Sequence, residues 1–281
     1  SQQGLGLVTE IREAEAFASF YRTRTYLRLF LVIALALTLP DDLVPYAPRR
    51  TRTLPLHGGT AELAWLPARR ERAGHDRERP PAFAPSPAAR ILEAESYWRS
   101  ETLALTPNKF PFGVDQRILW MARPAREPDL VFWEAALDWV RRSDGTALLN
   151  NIGAAATIPR AHAHLLGERL PLLEQLPERP LRAAPIDLPK GCSLVAKDLD
   201  ACILGLRGPV GGCADALTRL ADARLTPTWN VVLTRDAAWI VPRAVQTPAP
   251  HFETALGAAE FWGRFCYVDE AAYERATAAD L

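Results

Sequence analysis

The order of strand and helix patterns is the feature that most constrains the fold of this chain. From residue 91 onward a short helix is followed by strand, strand, helix, strand and strand, without regular βαβ alternation. The strong helix, over residues 128–143, has an apolar stripe at helical spacing and two arginines in its last turn, where they suit the helix dipole. Because parallel strands need crossover connections, this order predicts an α+β fold on an antiparallel sheet.

Individual strands are predicted from short runs of apolar, β-branched and aromatic residues. Residues 229–235 and 237–243 are two such runs, joined tightly at Asp236. Residues 168–190 are rich in proline and are predicted to be connective, and a final helix is predicted over residues 252–278. The remaining strand predictions fall within residues 91–113, 116–124, 145–153 and 160–166.

The first 90 residues are predicted to form an N-terminal region that packs on a main domain of residues 91–281. Residues 9–25 have apolar positions near helical spacing, and residues 51–68 are typical of a hairpin around the sequence HGGT. Residues 69–90 are charged and then proline-rich, which is the composition of a mobile loop.

Charge and cysteine content argue against several classes of protein. The 33 basic and 33 acidic residues give a formal net charge of zero, which argues against a general nucleic-acid binder. The apolar stretch within residues 27–40 has an unbroken run well short of the roughly 18–20 residues that span a bilayer, so it is predicted to be a buried element rather than a membrane span. The four cysteines include no C-x-x-C pair, which argues against structural zinc. Four cysteines in a chain of 281 residues do not suggest a disulfide scaffold, so the thiols are predicted to be reduced and the protein cytoplasmic.

Two histidines two residues apart, His162 and His164, mark the candidate site. On a strand they share a face, together with Arg160. Three interpretations are open: a metal site, two ordinary histidines near a sheet edge, or nucleophilic catalysis on phosphorus. A metal site needs three or four ligands, and no nearby cysteine or carboxylate completes a familiar spacing. No metal and no cofactor are therefore predicted.

Nucleophilic catalysis on phosphorus requires more than an imidazole, and neighbouring residues have the required properties. A histidine attacks a phosphoryl centre and also leaves it, so it can carry a covalent intermediate. The small residues that begin at Gly153 allow a ligand to approach the backbone closely. Thr157 offers a hydroxyl, and Arg160 offers a planar fork that suits phosphate.

The sequence NIGAAATIPRAHAHLL, residues 151–166, resembles the signature of the histidine-triad superfamily. More narrowly, it is similar to the branch that contains galactose-1-phosphate uridylyltransferase and diadenosine-tetraphosphate phosphorylase. Two further stretches are similar to the phosphorylases of this branch: the turn PNKFPFG at 107–113 and the segment WNVVLTRDAAWIVPR at 229–243. Residues 255–270 resemble their closing segment.

The resemblance implies a role for each residue of the signature when Pro159 is taken as the anchor. His162 then occupies the position of the nucleophile, His164 the third triad position, and Thr157 the place of a phosphate-contacting serine. Arg160 departs from the family, which has histidine at the first position, and this leaves open how the nucleophile is oriented and which leaving group is served. An alternative register makes His164 the nucleophile but breaks the proline spacing.

The resemblance also implies a fold and a function. The fold is a HIT-like antiparallel sheet flanked by helices, with a C-terminal extension. The function is nucleotidyl transfer from a dinucleoside polyphosphate or a nucleoside-diphosphate sugar, with phosphate or a sugar phosphate as acceptor and a nucleotidyl-histidine intermediate. Asn108, Lys109, Asn151 and Gly153 are the expected substrate-binding residues. Two alternatives remain: a histidine-triad hydrolase, and a catalytically weak regulatory protein that binds nucleotides.

Overall fold

A ten-stranded sheet positions the histidines in the computed structural model, which describes residues 43–70, 87–170, 172–181, 183–199, 201–224, 226–247 and 255–281. Every strand pair in this sheet is antiparallel, and the strand order is β3-β4-β5-β7-β6-β11-β12-β10-β9-β8. The sheet confirms the predicted α+β fold. Its strands are β3 (Trp98–Arg99), β4 (Leu103–Pro107), β5 (Arg117–Met121), β6 (Thr146–Asn150), β7 (His162–Leu166), β8 (Glu178–Pro180), β9 (Ser193–Lys197), β10 (Leu204–Arg207), β11 (Thr228–Leu233) and β12 (Ala238–Arg243).

The predictions for residues 9–25 and 27–40, and those for most of the loop at 69–90, lie outside the described residues. The described residues all belong to one unit, Pro40–Leu281. Among their helices, none combines the length and the apolar character that a membrane span needs.

Two long helices, α2 (Leu130–Ser143) and α4 (Val210–Ala223), pack against each other, and α2 also contacts the central strands. The prediction of a helix over 128–143 is confirmed. Helix α2 begins after Asp129, whose carboxylate accepts a hydrogen bond of 3.0 Å from the backbone N–H of Phe132. This N-cap satisfies one of the donors left unpaired at the start of any helix. A shorter helix, α1 (Ala88–Glu95), precedes β3.

A second sheet of three strands is built from the two ends of the described unit. Strands β1 (Arg50–Leu56) and β2 (Gly59–Trp65) form the predicted hairpin, and His57 and Gly58 make its turn with positive φ angles. Strand β13 (Arg264–Tyr267) pairs in parallel with β2. The N-terminal hairpin is therefore tied directly to the C-terminal segment.

The predicted final helix over 252–278 is wrong. Two short helices, α5 (Ala258–Trp262) and α6 (Glu270–Arg275), are separated by β13. Helix α5 ends at Gly263, whose φ of 113° is open to glycine and strained for other residues. A Cβ atom at that position would lie 2.5 Å from the Cβ atom of Leu172. Helical periodicity does not reveal that the next four residues pair with a distant strand. A four-residue helix, α3 (Leu172–Gln175), lies within the connective stretch after β7.

Candidate active site

Strand β7 carries both histidines in the middle of the ten-stranded sheet, between β5 and β6. His162 lies opposite Trp120 of β5, and His164 lies opposite Ile118 of β5 and Leu148 of β6. The two imidazole rings meet edge to face with centroids 5.6 Å apart. The predicted shared face is therefore present, and the position is an interior strand rather than a sheet edge. The expected location near a sheet edge is therefore wrong.

Two contacts help to orient the ring of His162. Its Nδ1 lies 2.7 Å from the main-chain carbonyl oxygen of Arg160. Because a carbonyl oxygen only accepts hydrogen bonds, Nδ1 is the nitrogen that carries the hydrogen, and in the neutral ring Nε2 carries the lone pair. On one flat side the ring stacks on the indole of Trp120, with centroids 4.6 Å apart. His162 is 7% exposed.

Arg160 precedes β7 and lies in a bend, so it does not continue the row of the two histidines along the strand. It meets His162 through its main-chain carbonyl, whereas its guanidinium Nη1 donates to the carbonyl oxygen of Ala122 at 2.9 Å. Burial, and then the neighbouring guanidinium of Arg99, lower the pKa of Arg160 from its ordinary value. The guanidinium is thus a buried positive charge with a like charge beside it.

The loop between β6 and β7 is shaped by positive φ angles. The carbonyl of Asn151 accepts hydrogen bonds from the backbone N–H groups of Ala154 and Ala156, at 2.9 and 3.3 Å. Gly153 has a φ of 87° and Ala155 a φ of 72°. The side-chain amide of Asn151 donates a hydrogen bond of 2.6 Å to the carboxylate of Glu127. This N–H group is therefore already engaged within the protein.

Asn230 holds this loop against the sheet. Its amide nitrogen donates to the carbonyl oxygen of Ala154 and to the side-chain oxygen of Asn150, both at 2.8 Å. Its amide oxygen accepts from the guanidinium of Arg243 at 3.0 Å. Asn230 and Arg243 belong to the C-terminal segment at 229–243, to which the sequence analysis gave no site residue. Their contacts show that this segment supports the loop.

The turn after β4 contains two of the predicted substrate-binding residues. The side-chain oxygen of Asn108 accepts from the backbone N–H of Phe110 at 3.0 Å, so it stabilises the turn itself. Lys109 is exposed and forms an ion pair of 2.8 Å with Glu95. Thr157 is exposed in the loop between β6 and β7. Contacts in the structure link Arg160, His162 and His164 to one another. Asn108 and Lys109 contact other residues, namely Phe110 and Glu95, and Thr157 lies in the loop that leads to β7.

The histidines are also contacted directly by side chains that were not among the predicted site residues, namely Gln116, Trp120 and Phe112. Gln116, just before β5, places its amide nitrogen 2.9 Å from Nδ1 of His164. Trp120 stacks on His162, and its indole N–H donates to the hydroxyl of Thr106 at 2.9 Å. Alternate residues of β5 share a face, so residues 116, 118 and 120 form a period-two set. That set was visible in the sequence, but its pairing with β7 was not.

The described residues contain no group of three or more histidine, cysteine, aspartate or glutamate side chains that is placed to hold a metal ion. The side chains of the site offer an oriented imidazole with a lone pair on Nε2, a second imidazole on the same face, and a buried guanidinium just before the strand.

The fold is α+β, with the pair of histidines on an interior strand of its antiparallel sheet. No family model matches the sequence, and no curated protein matches it. Solved structures of yeast Ap4A phosphorylase do match: the complex with Ap4A has 14% sequence identity and a TM-score of 0.60, over 89% of this chain and 90% of that chain. The complex with AMP has 15% identity and a TM-score of 0.59, over 83% of this chain and 84% of that chain.

An ADP-glucose phosphorylase from Arabidopsis thaliana, solved with bound ADP-glucose, has 12% identity and a TM-score of 0.42, over 82% of this chain and 99% of that chain. The match to the yeast Ap4A phosphorylase shows that the chain has the fold of that protein along most of its length. The predicted resemblance to diadenosine-tetraphosphate phosphorylase is therefore confirmed at the level of fold.

Proposed function

We propose that the chain is a nucleotidyltransferase of the phosphorylase type, and that His162 carries the nucleotidyl group. The observation that carries this proposal is the 2.7 Å contact between Nδ1 of His162 and the carbonyl oxygen of Arg160. It fixes the hydrogen on Nδ1 and leaves the lone pair on Nε2, which is the form of imidazole that attacks phosphorus. The arginine at the first triad position does not disturb this orientation, because the main chain supplies the acceptor.

The reaction has two steps. In the first, Nε2 of His162 forms a bond to the α-phosphorus of the substrate, and the bond from that phosphorus to the bridging oxygen breaks. The electron pair leaves with the remaining phosphate chain or sugar phosphate. In the second, an oxygen of the acceptor attacks the same phosphorus, the N–P bond breaks, and the electron pair returns to Nε2. With inorganic phosphate as acceptor, the product is a nucleoside diphosphate.

The choice of acceptor rests on charge. A phosphate acceptor places a second anion beside the substrate phosphates, and such a site needs permanent positive charge. Arg160, which lies just before β7, and Arg99 of β3 provide two neighbouring guanidinium groups. A guanidinium does not exchange a proton near neutral pH, so Arg160 acts by charge and hydrogen bonding on the leaving or accepting phosphate, not by proton transfer. We therefore propose phosphate or a sugar phosphate over water.

The proposed substrate is a dinucleoside polyphosphate or a nucleoside-diphosphate sugar, and the fold shared with the yeast phosphorylase supports this class. The structural neighbour in yeast is an Ap4A phosphorylase that was solved with Ap4A and with AMP. The loop at 151–157, with its positive φ angles and backbone N–H groups, suits phosphate oxygens. His164 is proposed to contact the phosphoryl oxygens from the same face, with Thr157, Asn108, Lys109 and Asn151 at the edge of the site.

The proposal is tested by trapping the intermediate. The protein is mixed with Ap4A or with a nucleoside-diphosphate sugar in the absence of phosphate, quenched in base, digested, and analysed by mass spectrometry. A nucleotidyl group on the peptide that contains residues 157–167, located on His162, is expected. Added phosphate should discharge it and yield a nucleoside diphosphate.

Matched alanine variants distinguish the competing registers. His162→Ala should remove the adduct while the protein remains folded, whereas His164→Ala should slow formation of the adduct but retain it on His162. An adduct on His164 would make the alternative register correct. Release of nucleoside monophosphate only, at a rate indifferent to phosphate, would identify a hydrolase, and binding without any adduct or product would identify a regulatory nucleotide binder.

A further inference from the structure

Gln116 is a buried side chain whose amide orientation is fixed by the backbone. It is 1% exposed and lies just before β5. Its Oε1 accepts a hydrogen bond of 2.7 Å from the backbone N–H of Phe112. A backbone N–H is always a donor, so the atom that faces Phe112 must be the oxygen of the amide. The NH₂ group of Gln116 therefore points the other way.

The NH₂ group of Gln116 faces His164. Its Nε2 lies 2.9 Å from Nδ1 of His164. An amide NH₂ group only donates, so Nδ1 of His164 accepts and carries no hydrogen. In the neutral ring the hydrogen must then be on Nε2. His164 is therefore held in the opposite tautomer to His162, whose Nδ1–H donates to a carbonyl.

We infer that Gln116 is a positioning residue that makes His164 a hydrogen-bond donor at Nε2, toward the phosphoryl oxygens of the substrate. The inference rests on the proposed function and assigns a different role to each of the two imidazoles. Nε2 of His162 offers a lone pair to phosphorus, while Nε2–H of His164 donates to the oxygens on which charge develops. Preorganised donors at such oxygens are among the largest contributions to catalysis.

Phe112, which orients Gln116, is itself fixed by contacts with His164 and Arg264. The ring of Phe112 packs edge to face on His164, with centroids 5.2 Å apart. The carbonyl oxygen of Phe112 accepts a hydrogen bond of 2.9 Å from the buried guanidinium of Arg264. The backbone N–H that orients Gln116 thus belongs to a residue fixed by the C-terminal strand β13. The group that fixes this tautomer, the amide of Gln116, does not titrate, so Nε2–H of the neutral His164 ring persists as pH rises.

The substitution Gln116→Glu reverses the polarity of this contact with almost no change of shape. One carboxylate oxygen still accepts from Phe112, but the other now accepts a hydrogen from Nδ1 of His164. Nε2 of His164 then carries a hydrogen only when the ring is doubly protonated. The variant should keep activity at acidic pH and lose about 10²-fold relative to wild type at alkaline pH, which is the usual cost of losing one such donor.

Nitrogen-15 NMR of the histidine rings gives a readout that does not depend on turnover. Wild-type His164 should show the Nε2–H tautomer at pH 8, and Gln116→Glu should show Nδ1–H. The control is Gln175→Glu, which adds the same charge to a glutamine whose amide oxygen accepts from the backbone N–H of Thr60 at 2.9 Å. It should leave both the pH profile and the tautomer unchanged.

The Gln116→Glu change is also made in a His164→Gln protein, which distinguishes loss of the Nε2–H donor of His164 from a general effect of the added charge. An amide at position 164 donates at any pH, so in a His164→Gln protein the added Gln116→Glu change should cause no alkaline loss. An unchanged His164 tautomer or an unchanged pH profile in Gln116→Glu overturns the inference, as does an alkaline loss that persists in the His164→Gln background. If no adduct forms on wild-type His162 while the tautomers are as stated, the proposed function fails, but the conclusion that Gln116 sets the tautomer of His164 remains.

Discussion

The indole of Trp120 lies against the imidazole of His162, with ring centroids 4.6 Å apart and an angle of 26° between the planes. Trp120 is itself fixed, because its N–H donates to the buried hydroxyl of Thr106. In the proposed mechanism Nε2 of His162 becomes bonded to phosphorus while Nδ1 keeps its hydrogen, so the ring carries a positive charge. The negative face of an indole stabilises such a charge.

Replacement of Trp120 by leucine should therefore destabilise the nucleotidyl-His162 intermediate. A desolvated cation–π contact contributes about 2 kcal/mol, which corresponds to roughly a 30-fold smaller equilibrium constant for forming the intermediate. The measurement is the burst amplitude of adduct formation, normalised to the folded protein. Trp120→Phe keeps an aromatic face and should retain most of the amplitude. An undiminished burst in the leucine variant would assign the stack to packing alone.

Arg160 should govern the choice of acceptor and of leaving group, not which histidine carries the adduct. Because its contact with His162 uses the main chain, Arg160→Met keeps that contact and removes the buried charge together with its hydrogen bond to the carbonyl of Ala122. A hydrogen bond from a charged group to phosphate contributes about 1.5–3 kcal/mol, so kcat/KM for phosphate should fall by about 10- to 100-fold. Arg160→His should change substrate preference and retain the adduct. Equal kinetics with every acceptor in both variants would remove Arg160 from the site.

Asn230 should couple the C-terminal segment to the loop between β6 and β7. Asn230→Asp keeps the size and the contact with Arg243 but has no donor for Ala154 or Asn150, and it places oxygen against oxygen. Loss of two buried donors should destabilise the protein by about 2–4 kcal/mol, since each unsatisfied group costs about 1–3 kcal/mol. It should also raise the KM for nucleotide. Denaturant unfolding and initial-rate kinetics measure the two effects.

Much of the sheet could be predicted from the sequence, because its strands are short runs of apolar, β-branched and aromatic residues. The runs that became β5, β6, β7, β11 and β12 were each identified. The strand order was not, since β7 pairs with β5 and β6 through contacts between residues distant in the sequence. That order brings Trp120 opposite His162, and no local pattern encodes it.

The candidate site was predicted only in part, because local patterns are visible in the sequence but strand pairing is not. The alternation in β7 indicated that His162 and His164 share a face, and their edge-to-face contact confirms this. Gln116 was passed over because a glutamine before a strand is ordinary until its partner is known. Asn230 offered a signal that was available: a polar residue inside the run WNVVL is buried, and a buried amide needs partners.

The free cysteines should differ sharply in reactivity. Burial raises the pKa of the Cys213 thiol to about 11, and burial also raises the pKa of Cys266 to about 11. At pH 8 the thiolate fraction of such a group is roughly 10⁻³, and the thiolate is the reactive form. Iodoacetamide should therefore label the exposed Cys202 first, and label Cys213 and Cys266 only after unfolding. Peptide mapping after a short pulse, with and without guanidinium, measures the order; early labelling of Cys213 would contradict it.

The ion-pair cluster around Arg264 should be the most costly to break of those described here. Its guanidinium is 1% exposed, contacts both oxygens of Glu168 at 2.6 and 3.1 Å, and reaches Glu62 at 2.9 Å. Arg264→Met leaves two carboxylates without their partner in a mostly buried place, which should cost about 3–5 kcal/mol. The control is Arg219→Met, whose exposed pair with Asp215 should be worth under about 0.5 kcal/mol. Urea unfolding of both variants gives the comparison. Since Arg264 also holds the carbonyl of Phe112, activity in the Arg264 variant should fall even under conditions where it remains folded, whereas a fully active folded variant would show that β13 does not support the site.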